Sequence, residues 1–104
     1  MPYQGGPITE AMYYILLALS KPAHGYQLMA DIKQISDGRL NMGPGTLYGV
    51  LTRLQREGCL RIIQDDGRRK TYEITEQGIA VLKTEYERLK FMVNDGAFLE
   101  ENQL

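Results

Sequence analysis

The segment from Leu60 to Thr75 constrains the fold most, because it carries the signature of a short β-hairpin. Asp66-Gly67 separates two runs that are rich in β-branched and aromatic residues, Leu60 to Gln64 and Lys70 to Thr75. Such runs favour strands, and Asp-Gly strongly favours the turn of a hairpin. The sequence therefore predicts two antiparallel strands joined by a tip that carries Arg68, Arg69 and Lys70.

Three short helices are predicted before this hairpin, each with apolar residues at helical spacing. Thr9 suits the N-cap of the first, which ends near Ser20, and Asp37-Gly38 ends the second. Pro44 suits the first turn of the third, which Gly58 ends. Their apolar stripes contain Met12, Ile15, Leu16 and Leu19, then Leu28, Met29, Ile32 and Ile35, and finally Leu47, Val50, Leu51 and Leu54.

A fourth and longer helix is predicted to begin at Thr75-Glu76 and to continue through Val93, before Asn94-Asp95-Gly96. Its main apolar residues follow one another at intervals of 3, 4, 3 and 4, the heptad pattern of a helix that packs against a partner. This seam consists of Ile79, Leu82, Tyr86, Leu89 and Val93. It predicts packing against a partner, which would also help a chain with a small core, and packing on the helix's own domain is the alternative.

The predicted fold is mainly α with a small β-hairpin: a winged helix-turn-helix domain followed by a long C-terminal dimerisation helix. At 104 residues the chain has room for one such domain. We divide it into a flexible N-terminal arm (1–8), the winged helix (9–75), the dimerisation helix (76–95) and a tail (96–104). In this layout the third helix enters the major groove of DNA, and the hairpin flanks it as the wing.

Charge is distributed unevenly along the chain, although its sum is only −1. From Arg39 to Lys70 there are seven basic and three acidic residues, a net charge of +4. From Thr71 to Leu104 there are three basic and seven acidic residues, a net charge of −4. A basic hairpin tip suits DNA phosphates, and protection of an edge strand by charge is the alternative interpretation.

The outward face of the third helix suits contacts with DNA. It offers a phenol, a hydroxyl and a guanidinium group and has no acid before Glu57. Glycine is unfavourable inside a helix, and close approach of the DNA backbone explains it at Gly49. A solvated face that lacks acids is the alternative. The outward residues are Tyr48, Gly49, Thr52, Gln55 and Arg56, and Arg53 lies at the shoulder of this face.

Enzyme, metal and membrane functions find little support. One histidine, one cysteine and no phosphate-binding loop leave few ways to build a metal centre or an activated nucleophile. Cys59 has no partner for an internal disulfide, no basic apolar leader opens the sequence, and the apolar stretch Ala11 to Leu19 is too short to span a bilayer. We expect a cytoplasmic protein that is not an enzyme and has no cofactor, metal ion or membrane contact.

Several spaced motifs occur in order along residues 15–82. They are His24-Gly25-Tyr26, Gly38-Arg39-Leu40, Pro44-Gly45-Thr46-Leu47-Tyr48, Leu51-x-Arg53-Leu54, Glu57-Gly58, Gly67-Arg68-Arg69-Lys70-x-Tyr72 and Thr75-Glu76-x-Gly78. In this combination the chain resembles the PadR family of bacterial transcriptional regulators. The resemblance implies a winged-helix homodimer, commonly a repressor, and several members respond to phenolic acids or lipophilic drugs.

The resemblance also implies which residues meet DNA. By matching position, residues of the second and third helices face the DNA backbone or groove, and the basic hairpin tip forms the wing contact. The sequence departs from the family at Gly43, where serine is common, and at Gly49, where proline is common. The predicted DNA-binding residues are Tyr26, Gly45, Thr46, Tyr48, Gly49, Thr52, Arg53, Arg68, Arg69 and Lys70.

An effector pocket at the dimer interface is predicted from Tyr14, Leu89, Phe91 and Met92, whose flat or soft side chains suit a planar apolar ligand. The same side chains suit plain dimer packing. The related drug-binding regulators place a tryptophan in the last helix, and this chain has none. By this resemblance the counterpart of that tryptophan is Leu89.

The sequence-based hypothesis is a dimeric repressor that binds a palindromic operator in double-stranded DNA and is released by a small aromatic or lipophilic effector. Two recognition helices would then read half-sites about 34 Å apart. One alternative is a winged-helix protein-interaction module without DNA binding, which would use the heptad seam or a helix face. Another is a small-molecule carrier.

Overall fold

The computed structural model describes residues 5–101, and the order of elements predicted from the sequence is confirmed. The fold is mainly helical with a small antiparallel sheet and a long C-terminal helix. The elements are α1 (Glu10–Ala18), β1 (Ala23–His24), α2 (Gly25–Ile35), α3 (Pro44–Arg56), β2 (Leu60–Asp65), β3 (Lys70–Ile74), α4 (Glu76–Asp95) and α5 (Phe98–Glu101).

Local sequence explains where the helices begin. The Thr9 hydroxyl accepts a hydrogen bond from the Met12 amide at 3.1 Å, and the Thr75 hydroxyl accepts one from the Gly78 amide at 3.0 Å. Both threonines therefore satisfy an amide that the helix itself leaves unpaired. At α3, Pro44 occupies the first turn, where its missing N–H costs no hydrogen bond.

The sheet has three strands, where the sequence predicted a two-stranded hairpin. The added strand β1 pairs antiparallel with β3, with Ala23 opposite Tyr72 and His24 opposite Thr71. The strand order is β1-β3-β2, and a bulge between Ile62 and Gln64 interrupts the pairing of β2 with β3. β1 is only two residues long and follows a proline, which gives no local sequence signal for a strand. It is extended because it pairs with β3, a contact between distant parts of the chain.

The core lies where α1, α2 and α3 meet, with the start of β2 and Tyr72 of β3 closing one side. The fully buried side chains include Met12, Ile15, Leu16, Leu19, Leu28, Ile32, Leu47, Leu51, Leu54, Cys59 and Leu60. These are mostly the apolar stripes predicted for the first three helices, and Cys59 is buried among them.

The structure adds detail at two of the predicted boundaries. Ile8, placed in the N-terminal arm, is buried in the core, because its side chain is apolar and its backbone N–H binds the buried carboxylate of Glu85. The tail predicted over 96–104 contains the short helix α5, in which four residues continue helically after a turn at Gly96. Residues 5–7 are exposed, and the rest of the arm and of the tail lies outside the described residues.

The long helix α4 packs against α1 through only part of its surface. Val81 and Leu82 contact the core, and Gly78 and Glu85 are buried. Leu82 therefore belongs to the packing of its own domain, although the heptad pattern placed it in the seam facing a partner. None of the helices within residues 5–101 combines the length and the apolarity needed to cross a membrane.

Candidate nucleic-acid interface

The outer face of α3 is open to solvent along its length, as its apolar spacing predicts. Gly45, Thr46 and Gly49 are exposed, whereas Leu47 and Leu51 are buried on the opposite side. A Cβ atom built at Gly45 or Gly49 meets nothing within 4 Å. The missing side chains therefore leave the helix backbone accessible to a large partner, and packing within the domain does not explain these glycines.

The polar residues farther along α3 are held by local hydrogen bonds. The Thr52 hydroxyl donates to the Tyr48 carbonyl at 2.9 Å, and the Arg53 Nε donates to Glu57 Oε2 at 3.1 Å. The other carboxylate oxygen of Glu57 is buried and has no hydrogen-bond partner within residues 5–101. The Arg53 guanidinium is half-exposed, and the Glu57 carboxylate one turn away orients it. The i, i+4 spacing of the two residues in the sequence was a signal for this ion pair.

Tyr48 connects α3 to the start of α2. A Cβ atom built at Gly25 would lie 2.3 Å from the Tyr48 hydroxyl oxygen, so only glycine leaves room for this ring. Tyr26, the next residue, is 77% exposed. His24 precedes the helix without making a side-chain cap within residues 5–101. The first amides of a helix attract anions, so this corner suits a DNA phosphate.

The wing is a closed turn whose basic side chains lie on the outside. Asp66 Oδ1 accepts hydrogen bonds from the amides of Arg68 and Arg69, and Asp65 Oδ1 accepts one from Gly67. These backbone amides, with that of Arg69 contributing most, hold the pKa of Asp66 below its usual range. The side chains of Arg68, Arg69 and Lys70 are all exposed.

The wing, the start of α2 and the outer face of α3 form one surface. The pairing of His24 with Thr71 joins the start of α2 to the base of the wing, and Tyr48 joins it to α3. Tyr48 also helps to raise the pKa of Tyr72 on β3, after the larger effect of burial. We call this the reading surface; it comprises Tyr26, Gly45, Thr46, Tyr48, Gly49, Thr52, Arg53, Arg68, Arg69 and Lys70.

The predicted dimer seam is only partly free. Ile79, Tyr86 and Val93 are exposed, Val93 to 73%, and Leu89 is half-buried. Further large apolar side chains lie exposed along the second half of α4 and on α5, namely Phe91, Met92, Phe98 and Leu99. The uncovered apolar surface of α4 is thus wider than the heptad seam and excludes Leu82.

The structure brings together two of the four predicted effector-binding residues. Leu89 and Phe91 line a groove of about 860 Å³ between α1, α4 and α5, whereas Tyr14 and Met92 are not among its lining residues. Tyr13 takes the place expected for Tyr14, because consecutive helical residues point about 100° apart. The Met92 sulfur instead accepts a hydrogen bond from Arg88 at 3.0 Å.

A buried acid beside this groove was not anticipated from the sequence. Glu85 is 5% exposed; its carboxylate binds the Arg88 guanidinium through two hydrogen bonds and also accepts the Ile8 amide. The Arg88 hydrogen bond is the main reason that the pKa of Glu85 lies below its ordinary value. The i, i+3 spacing of the two residues on α4 was the available signal.

The comparison with protein families confirms the assignment that the motifs suggested. Residues 15–84 match the transcriptional regulator PadR-like family. The chain belongs to the PadR-like family. This family consists of transcriptional regulators, which agrees with the prediction that the chain is not an enzyme.

Individual relatives match most of the chain, and one of them is named a transcriptional regulator. The chain is 31% identical over 84 residues to the transcriptional regulator YqjI of Escherichia coli K12, and 39% identical over 78 residues to an uncharacterised 37.1 kDa protein of transposon TN4556 from Streptomyces fradiae. These matches cover 80% and 74% of the chain, respectively, but only 41% and 22% of the relatives. The chain therefore spans less than half the length of either protein.

A solved structure shares the fold. The PadR-family transcriptional regulator from Eggerthella lenta DSM 2243 superposes with a TM-score of 0.67 and 30% sequence identity, covering 89% of this chain and 82% of that one. The winged-helix architecture predicted from the element order is therefore shared with a regulator of the same family.

Proposed function

We propose that this PadR-like chain is a homodimeric repressor that binds a palindromic site in double-stranded DNA and is released by a small aromatic or lipophilic effector. The observation that carries the DNA-binding part is the reading surface. An exposed helix face without side chains at Gly45 and Gly49 adjoins a helix start and a wing with three exposed cations. Such a regulator would act in the bacterial cytoplasm, where the DNA lies.

The chemistry of this surface matches the parts of a DNA duplex. Exposed arginine and lysine side chains at the wing neutralise phosphates and release counterions. The threonine, tyrosine and arginine side chains of α3 reach phosphates or base edges in the major groove. Most of the acidic excess lies in the segment after β3, so the net charge of −1 does not describe the surface that meets DNA.

The exposed apolar residues of α4 support a homodimer. Water-exposed surface around Phe91 and Val93 is large for a domain of this size, and an identical patch on a second copy would cover it in a two-fold arrangement. A dimer also presents two copies of the reading surface, which matches the two halves of a palindromic site.

The groove between α1, α4 and α5 supports the effector. Tyr13, Tyr86 and Phe91 give it aromatic walls, while Glu87 and Lys90 stand at its polar side. Its size and apolar lining fit a small aromatic molecule. Because the groove is built from the helix proposed to form the dimer, a ligand there would change how the two reading surfaces are spaced.

Salt-dependent binding tests the DNA-binding part. The wild-type chain and a variant with Arg68, Arg69 and Lys70 changed to alanine are titrated with the DNA upstream of the chain's own gene, from about 50 to about 300 mM salt, roughly a sixfold range. On a logarithmic plot, the variant's slope should be shallower by up to about 2.7 per subunit, since each phosphate contact contributes about 0.9. A control variant loses the exposed cations Lys33 and Lys83 and should keep the wild-type slope.

The outcomes separate the functions. An unchanged slope in the triple variant would remove the wing from the DNA contact. Absence of DNA binding at every salt concentration, together with a stable complex with another protein, would select the protein-interaction module. Release from DNA is tested by adding phenolic or lipophilic compounds to the complex, and a reporter gene behind the same DNA should be expressed more strongly when the chain is absent.

A further inference from the structure

Asp66 is one of two acidic residues, with Asp65, at a wing tip that also carries Arg68, Arg69 and Lys70. A carboxylate at this place opposes binding to a polyanion, because it lies within a few residues of the cations that would meet phosphates. Its Oδ1 accepts hydrogen bonds from the Arg68 amide at 3.0 Å and from the Arg69 amide at 2.8 Å. The Asp66 amide donates to the Arg69 carbonyl at 3.2 Å.

These three hydrogen bonds close a turn of four residues, Asp66 to Arg69, with Gly67 as its second residue. Gly67 has a φ of +89°, which lets the chain reverse so that both amides converge on one carboxylate oxygen. Asp65 secures the same turn by accepting the Gly67 amide at 2.9 Å. The backbone positions from which the Arg68 and Arg69 side chains project are therefore fixed before any partner binds.

An ordered loop loses less conformational entropy on binding than a mobile one does. Arginine side chains on a fixed turn also keep a constant spacing, which suits successive phosphates of a rigid duplex. Asp66 therefore has two opposite effects on DNA affinity: its hydrogen bonds order the Arg68 and Arg69 backbone, and its negative charge repels phosphates.

We propose that Asp66 is a positioning residue for DNA binding, in which the ordering of the Arg68 and Arg69 backbone outweighs the repulsion between its charge and the DNA. This inference rests on the proposed DNA-binding function. It assigns to Asp66 a role that favours DNA binding, although its negative charge alone would oppose DNA binding.

Two substitutions separate order from charge. Asp66→Asn removes the charge but keeps an oxygen that can accept both amides, whereas Asp66→Ala removes both the charge and the acceptor. We expect Asp66→Ala to bind the upstream DNA about three- to tenfold more weakly than the wild type, because two backbone hydrogen bonds of the tip are lost. Asp66→Asn should bind at least as tightly as the wild type. A third substitution, Asp66→Ser, has a shorter neutral acceptor, and its DNA affinity should lie between those of Asp66→Ala and Asp66→Asn.

Asp95→Ala is the matched control, since it removes one negative charge at the far end of α4. It should leave DNA affinity unchanged. If Asp66 acted only through its charge, Asp66→Ala and Asp66→Asn would both bind DNA more tightly and to the same degree, which would overturn the proposal. Equal affinity of all three wing variants and the wild type would overturn it as well.

A second measurement follows the turn itself. In the NMR spectrum of the free protein, the Arg68 and Arg69 amides should be protected from hydrogen exchange in the wild type and in Asp66→Asn, and unprotected in Asp66→Ala. Melting temperatures should differ only slightly among the variants, because the tip is exposed and its hydrogen bonds lie outside the core. If the wild type binds no DNA, the proposed function fails and this inference with it. If the wild type binds and Asp66→Ala binds equally well, only this inference fails.

Discussion

Gly78→Ala offers a sharp test of how α4 is attached to the winged-helix domain. A Cβ atom at this position would lie 2.0 Å from the Cys59 carbonyl oxygen and 2.8 Å from Ile74 Cγ1. The first contact is with backbone, which no side-chain rotation relieves. The start of α4 would have to move away from the Cys59 peptide by about 1 Å merely to reach the shortest separation that real Cβ atoms show.

That movement strains the hydrogen bonds which hold the junction. Thr75 donates from its amide to the Cys59 carbonyl at 3.1 Å and from its hydroxyl to the Gly58 carbonyl at 2.6 Å. The Gln77 side-chain amide donates to the Glu57 carbonyl at 2.7 Å. Overpacking costs about 1–3 kcal/mol, and weakening these three hydrogen bonds without breaking them costs about 2 kcal/mol in all. Alanine recovers about 1 kcal/mol through helix propensity, so the net loss of stability is about 2–4 kcal/mol.

Thermal unfolding followed by circular dichroism measures this loss at one fixed protein concentration, because stability in a dimer depends on concentration. For a domain of this length the melting temperature of Gly78→Ala should fall by about 10–20 °C. Gly49→Ala is the matched control, since it makes the same change inside a helix where the Cβ atom meets nothing. A Gly78→Ala variant as stable as the wild type would refute the close approach of α4 to Cys59.

Two further predictions concern α3 and α4. Gly49→Ala should raise the free energy of unfolding by about 0.5–1 kcal/mol, yet weaken DNA binding if the α3 backbone approaches DNA closely; a titration with operator DNA checks this. Glu85 has a pKa below its ordinary value of 4.5, so its interaction with Arg88 stabilises the fold above that pH and is lost as the pH falls through the lower, folded-state pKa. Glu85→Gln should therefore lower the melting temperature near neutral pH and flatten its decline in acid.

Much of the fold could be predicted from the sequence because its signals are local. Thr9 and Thr75 mark helix starts through their own hydroxyls, and Gly58 and Gly67 mark chain reversals through their positive φ angles of 79° and 89°. Apolar spacing identified the buried side of each of the first three helices. Each of these signals depends on a few neighbouring residues, and a tertiary contact is not needed to interpret them.

The features that sequence reasoning missed depend on contacts between distant segments. β1 is a strand because it pairs with β3. Ile8 is buried where its backbone amide binds the Glu85 carboxylate on the distant helix α4. The sequence analysis placed Tyr14 in the effector pocket, whereas the packing of α1 against α4 brings Tyr13 to the groove instead. The heptad pattern of α4 identified an apolar stripe, but it did not show that the domain's own core covers Leu82.

In the candidate site, too, some features follow from local sequence and others depend on contacts between distant segments. Exposure of the predicted DNA-binding residues on α3 followed from its apolar spacing alone, whereas the fit of Tyr48 against Gly25 required the folded chain. This contact changes the interpretation of Tyr48. The ring packs against Gly25 at the start of α2, so Tyr48 links α2 and α3 within the proposed reading surface.

The junction between α3 and α4 relates the proposed dimer to the proposed DNA contact. The carbonyls of Glu57, Gly58 and Cys59, which follow α3, accept hydrogen bonds from Thr75 and Gln77 at the start of α4. A helix anchored in this way cannot rotate freely with respect to α3, so the position of α4 in a dimer determines where both reading surfaces lie. A ligand in the groove beside Tyr13 would act on α4 some turns away from this anchor, and its effect on DNA binding would be transmitted as a rigid displacement of the recognition helix.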